Sequence, residues 1–412
     1  MKITPVNGTN DYLPSEAALR EYMQNSILKT YINHGFERIL TPALEDMENL
    51  DKSEGGDNLN LLFKILKRGN KLESALKEGR YDELADIGLR YDLTVPLTRY
   101  FAGNKHRLFM PFKCIQIDKA YRAERPQRGR LREFMQCDID ILGSESLNCE
   151  IELINVTAKA LVNLGLNNFK VRINDRRLLN CLLSGMGFDE QDLASVCISL
   201  DKLDKIGPDG LKKELADKNF DAGSIDKLTD TLNELPVGLE SVKKLTGEAE
   251  SALNLEKIIN EVTRLSCGSY KIEFDISLVR GQGYYTGTVF EIESVDFKRS
   301  IAGGGRYDNL IGKFLGEQTA AVGFSIGFES IFILLKENNF VIPDIKKKIA
   351  VLYSGSFAEA DKTAEKFRSE YDTALFELPE KAGKYINALE KAGYYGIFIC
   401  GKSDKIEIFS GK

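Results

Sequence analysis

Between residues 15 and 34 apolar side chains recur at helical spacing (Ala18, Leu19, Tyr22, Met23, Ile27, Leu28, Tyr31), and Gly35 follows as a stop signal. The next run, FERILTPALED, is extended in character. Its internal Pro42 cannot donate to a ladder, which predicts an edge strand or a strand end. Residues 52–88 are polar and mixed and predict helix and loop. Two strand-like runs, FKCIQIDKAYRA (112–123) and FMQCDIDILG (134–143), then flank a basic stretch bearing Pro and Gly. That order predicts an antiparallel pair with a long, charged tip. From Asn174 to about Cys267, Leu/Lys/Glu/Asp patterns punctuated by GMG, GPDG and LPVG predict a helical insertion of roughly five short helices. Strand patterns resume at SYKIEFDISLVRG, TVFEIESV and AVGFSIGF. ENNFVIPDIKKK reads as a linker, and the alternating strands and helices beyond it predict a small α/β domain.

At 412 residues the chain is too long for one ordinary core. Its 43% hydrophobic and 29% charged residues are those of a soluble globular protein. No apolar run approaches the length of a membrane helix, and the first residues lack the apolar core of a secretory signal, so cytoplasmic location and no membrane partner are expected. Seven scattered cysteines without a C-x-x-C pair argue for free thiols and against structural zinc. With only two histidines, histidine-based acid/base or metal chemistry is a poor expectation.

The net charge is −6, yet KAYRAERPQRGRLREF (119–134) gathers six Lys and Arg residues. Pro126 and Gly129 prevent these arginines from lining one helical face, and guanidinium groups grip phosphate oxygens bidentately. The stretch is either a solvated basic loop or a polyanion site. Downstream, Gln136, Asp138 and Asp140 alternate and share one face of a strand. Two carboxylates and an amide there form either a satisfied core network or a pocket for an ammonium group. In GLRYDLTVPLTRY (88–100), Asp92 and Thr94 suit the start of a helix. LVRGQGYYTGTVFEI and AGGGRYDNLIG are Gly-rich around Arg280, Tyr284, Tyr285 and Tyr307, but neither lies in a βαβ unit, which rejects a dinucleotide-binding reading.

In order along the chain these segments resemble the histidyl-tRNA synthetases, a family of class II aminoacyl-tRNA synthetases. HGFERILTPALED resembles class II motif 1, YRAERPQRGRLREFMQCDIDILG motif 2, and AVGFSIGFES motif 3; LVRGQGYYTGTVFE and GGGRYDNL resemble the two histidine-specific signatures. The resemblance implies an α+β class II catalytic core, an antiparallel sheet flanked by helices, over 1–336. A helical insertion (176–266) interrupts it, and a linker (337–348) leads to an anticodon-binding-like α/β domain (349–412), shortened at its end. It implies activation of histidine by ATP and transfer to tRNA(His). ATP is then a substrate carrying Mg2+ on its phosphates, with no prosthetic group and no metal ligands from the protein, in a homodimer joined near Pro42.

By the same resemblance Arg122 and Arg280 are catalytic, with Arg280 taking the place of a metal ion at the α-phosphate. Arg122, Glu124, Arg130 and Phe134 bind ATP. Asp92, Gln136 and Asp140 receive the histidine ammonium, and Thr94, Tyr285 and Tyr307 line the imidazole end. Asp stands at positions 92 and 140 where many bacterial relatives carry Glu. Two departures stand out. Ser330 occupies the place of the motif 3 arginine that clamps the γ-phosphate, and Gln282-Gly283 replaces Leu-Asp before the tyrosine pair. The first suits a paralogue that senses histidine as a regulatory subunit of an ATP phosphoribosyltransferase. The intact motif 2 arginines, Arg280 and the C-terminal domain favour a ligase.

Overall fold

The structure, a computed structural model, describes residues 2–51, 61–233, 237–247, 249–280 and 284–409; Gln282 and Gly283 lie outside the described residues. The chain divides into two compact units, Met1–Asn339 and Phe340–Lys412.

An eight-stranded sheet organises the first unit. Its spatial order is Glu37–Arg38, Phe112–Tyr121, Glu133–Leu142, Ala321–Gly327, Arg299–Arg306, Thr288–Ser294, Phe169–Asp175, Lys271–Phe274. The pairings among Phe112–Tyr121 through Phe169–Asp175 are antiparallel, and each outermost strand joins in parallel. The strands around the basic stretch pair from Phe112↔Leu142 to Tyr121↔Glu133, so that stretch forms the tip of a long hairpin.

Period-2 alternation sends Cys137, Ile139 and Ile141 to a buried face where the helices Pro14–Asn33 and Asn148–Asn163 pack. Gln136, Asp138 and Asp140 take the opposite face. In the first helix Leu19, Met23, Ile27 and Tyr31 are buried, as their spacing predicts. Residues 176–266 hold six helices among the described residues, between Arg176–Met186 and Glu250–Ser266. The periodicity suggested five, since a single residue (Asn219, φ 62) at the end of one helix makes a turn no glycine announces.

The second unit is a four-stranded sheet in the order Asp372–Glu377, Lys348–Tyr353, Gly396–Ile399, Glu407–Ile408, with helices Phe357–Glu365 and Ala382–Lys391. Its first three strands are parallel and the last is antiparallel.

Candidate active site

One face of the sheet carries a cavity of about 440 Å³. Antiparallel register sets its floor: Asp138 faces Ser325, which faces Gly303, and Asp140 faces Gly323, which faces Gly305. The floor is therefore largely main chain. A Cβ on Gly323 would stand 2.0 Å from Asp140 Oδ1, and one on Gly303 would stand 2.2 Å from the Arg280 guanidinium.

All eleven site residues named from the sequence line this cavity: Asp92, Thr94, Arg122, Glu124, Arg130, Phe134, Gln136, Asp140, Arg280, Tyr285 and Tyr307. Asp92 does two things at once. Its Oδ1 accepts the Val95 N–H at 3.2 Å, capping the helix Thr94–Asn104, while Oδ2 is buried without a partner. Asp138 Oδ1 and Gln136 Oε1 are likewise buried and unpartnered. The Gln136 amide N–H groups lie 3.4 Å from both Asp138 Oδ2 and Ser325 Oγ. Tyr307 donates its hydroxyl to Asp140 Oδ1 at 2.6 Å.

Burial pushes the Asp138 carboxyl well above the usual range, with the neighbouring Asp140 charge adding to it. Burial also raises Asp140, to about 7, against the Tyr307 hydrogen bond, and raises Asp92. An unpaired buried acceptor costs about 1–3 kcal/mol, so three around one cavity do not form a satisfied core network and are open to a hydrogen-bond donor entering the cavity.

Three tyrosines form the adjoining wall. Tyr284 lies edge-on to Tyr285 and Tyr307, with ring centroids 4.9 and 6.0 Å away. Across from them, Arg122 donates to the Tyr91 carbonyl at 3.1 Å and lies 5.0 Å over the Phe134 ring. The hairpin tip closes through reciprocal Gln127–Arg130 main-chain bonds of 2.9 and 3.0 Å, with Gly129 at φ 79. Arg132 fastens the tip's base, donating its main-chain N–H to the Gly8 carbonyl and its Nε to the Glu124 carbonyl. Arg280 adopts φ 60, a left-handed conformation that costs a non-glycine residue about 1–2 kcal/mol. Its Nη1 donates to Glu291 Oε2 at 2.7 Å.

The structure adds residues to which sequence reasoning gave no role. Asp138 already stood in the alternating trio, and Tyr284 adjoins Tyr285. Glu329 lines the cavity and takes a bidentate grip from Arg20, at 2.7 and 2.8 Å, while also accepting the Met135 N–H. No local signal could have paired residues so far apart in the chain. Ser330 lies at the rim, its Oγ 3.5 Å from where a Gly129 Cβ would be. No group of three or more His, Cys, Asp or Glu side chains able to hold a metal ion occurs among the described residues.

Residues 8–331 match the histidyl-tRNA synthetase family. The chain belongs to that family. A histidine–tRNA ligase of Leifsonia xyli subsp. xyli is 42% identical over 363 residues, 83% of this chain and 82% of the relative. That of Christiangramia forsetii is 32% identical, covering 96% and 92%. The crystal structure of histidyl-tRNA synthetase from Nostoc sp. PCC 7120 superposes with a TM-score of 0.80 at 26% identity, covering 96% of this chain and 91% of that one. A Bacillus halodurans chain described as an ATP phosphoribosyltransferase regulatory subunit/histidyl-tRNA synthetase shares the fold, with a TM-score of 0.78 at 23% identity over 98% and 100%. The histidyl-tRNA synthetase core is thus the eight-stranded sheet with its cavity, the class II architecture that the motifs implied.

Proposed function

We infer that this histidyl-tRNA synthetase family member is a histidine–tRNA ligase, which activates histidine with ATP and passes it to tRNA(His). The observation that carries the reading is the set of three buried, unpartnered acceptor atoms on Asp92, Gln136 and Asp138, facing a cavity that also holds Arg122 and Arg280. The acceptors suit an α-ammonium, and the arginines suit a phosphate beside it. Tyr285, Tyr307 and Thr94 border the imidazole, and Phe134, Glu124 and Arg130 hold the nucleotide.

The histidine carboxylate attacks the α-phosphorus; an α-carboxyl ordinarily titrates near about 3.5, so it is ionised at any working pH. A carboxylate O–P bond forms, the bond to the β-phosphate oxygen breaks, and pyrophosphate leaves. No protein base is required. Arg280 and Arg122 stabilise the charge that gathers on the α-phosphate oxygens, and the floor and walls align the reactants. A ribose hydroxyl at the tRNA end then attacks the histidyl carbonyl and AMP departs. Mg2+ enters on the ATP phosphates as part of the substrate. The exposed Leu40 and Leu44 beside Pro42 support a homodimer contact there, and the C-terminal α/β unit is assigned to the anticodon. No described helix is long and apolar enough to cross a membrane, and a cytoplasmic location is proposed from the ligase reading.

Histidine-dependent exchange of label between pyrophosphate and ATP tests the reading. Exchange is expected; histidine binding with no exchange at saturating ATP would replace the ligase by a histidine-sensing regulatory subunit.

A second expectation follows from Asp140, raised to about 7 when the cavity is empty. An ammonium group beside it favours the ionised carboxyl, so binding lowers its pKa and releases a proton. At pH 7 Asp140 alone releases about half a proton per site beyond that from the ligand's own imidazole; the raised Asp138 and Asp92 carboxyls add to it, and affinity weakens by about tenfold or more from pH 8 to pH 6. Calorimetry in two buffers of different ionisation enthalpy measures this; proton uptake, or none exchanged, would contradict it.

A further inference from the structure

The row of residues across the sheet that contains Asp138, Ser325 and Gly303 continues outward to Glu291 and then Arg172, each the direct partner of the one before. Paired residues share a face, so Glu291 and Arg172 stand on the cavity side of the sheet, beyond Arg280. Glu291 is held from two directions. Its Oε2 accepts Arg280 Nη1 at 2.7 Å, and its Oε1 lies 3.6 Å from Arg172 Nη1. Both side chains are mostly buried, at 12% exposure for Arg172 and 14% for Glu291.

Arg172 is itself tied down. Its Nε pairs with Asp275, and its Nη2 reaches Ser277 at 3.1 Å and Asp204, from the helical insertion, at 3.0 Å. Glu293 adds a fourth carboxylate at 3.6 Å. We propose that Arg172 is a positioning residue for Arg280, acting through Glu291: it shares that carboxylate, so Glu291 fixes the Arg280 guanidinium without cancelling its charge. The inference rests on the ligase reading, which puts Arg280 at the α-phosphate.

The physical need is specific. Arg280 lies over Gly303, which offers it no side chain, and the hydrogen bond of its guanidinium to Glu291 sets its direction. A carboxylate devoted wholly to Arg280 would hold it in place but neutralise it. That would remove the positive potential on which stabilisation of a phosphate depends. Arg172 draws part of the Glu291 charge to itself and screens Glu293 and Asp275. Without it Arg280 would face a cluster of uncompensated acids and turn toward them.

Steady-state pyrophosphate exchange, with histidine affinity measured separately by calorimetry, tests the proposal on the full chain. Arg172→Gln is expected to lower kcat about 10- to 100-fold, the scale of a misdirected catalytic group, and to leave the histidine Kd within about twofold. Arg172→Lys, which keeps the charge, should recover most of the loss. In Arg172→Gln/Glu291→Gln the kcat should match that of Glu291→Gln alone, because one side chain acts through the other. A kcat for Arg172→Gln within twofold of the unsubstituted enzyme would overturn the proposal. So would losses that multiply in the double variant, or a Lys variant as slow as the Gln variant. Equal loss of kcat and histidine binding would also overturn it, since that marks a general structural role. Absence of exchange in the unsubstituted enzyme is a different result, for it removes the ligase reading itself.

Discussion

Replacing Arg280 by alanine should reduce histidine-dependent pyrophosphate exchange by about 1,000-fold or more, while histidine still binds within about tenfold of its original affinity. A single uncharged donor aimed at developing charge contributes about 100- to 1,000-fold, and a full cation in a cavity sheltered from water acts more strongly. Histidine is retained because the residues proposed to receive its ammonium, Asp92, Gln136, Asp138 and Asp140, lie on other elements and do not pair with Arg280. Stability should change little. The vacated Glu291 keeps Arg172 within 3.6 Å, and alanine carries the same Cβ as arginine, so the cost of the left-handed position is unchanged. Exchange kinetics, calorimetry and a thermal melt together check this. Activity surviving the substitution would mean that Arg280 does not serve the α-phosphate.

Ser330→Arg is expected to move the enzyme the other way, raising kcat/KM for ATP by about 10- to 100-fold. Ser330 stands in the first turn of the helix Phe328–Glu337, with its hydroxyl near Gly129 in the hairpin tip and 4.0 Å from where a Gly327 Cβ would be. Both neighbours are glycines, so a longer side chain has room to leave the rim toward the nucleotide. The adjacent Glu329 would not capture the new guanidinium, because Arg20 already occupies both its oxygens. An arginine here therefore stays available to the far phosphates of ATP. Measured ATP saturation curves decide the matter: an unchanged or lower kcat/KM would show that the tip arginines already fill that place.

Much of this was legible in the chain because it depends on local pattern. Alternation alone put Gln136, Asp138 and Asp140 on one face, and the Pro/Gly-broken run of arginines marked a hairpin tip between two strands. What the pattern could not settle was whether that face was core or pocket. The answer lies in individual oxygens: Asp92 spends one on a helix cap and leaves the other unpartnered, and no sequence distinguishes Oδ1 from Oδ2. Partners remote in sequence were equally hidden. Arg20 meets Glu329 from a helix near the start of the chain, and Arg172 meets Glu291 only because two strands align in one register. Gly323 lay within a strand pattern already, whereas Gly303 stood in a run marked only as Gly-rich; in the fold both are mid-strand and make room for side chains from other elements.

That floor bears on how the enzyme could escape a competitive inhibitor. Resistance usually arises from a small substitution that crowds the drug and spares the substrate. Over Gly303 and Gly323 even one methyl group displaces Arg280 or Asp140, the groups assigned to the chemistry and the ammonium. A compound lying flat on those two positions leaves the gene no conservative change that excludes it without also crippling histidine activation, so escape would have to come from the walls.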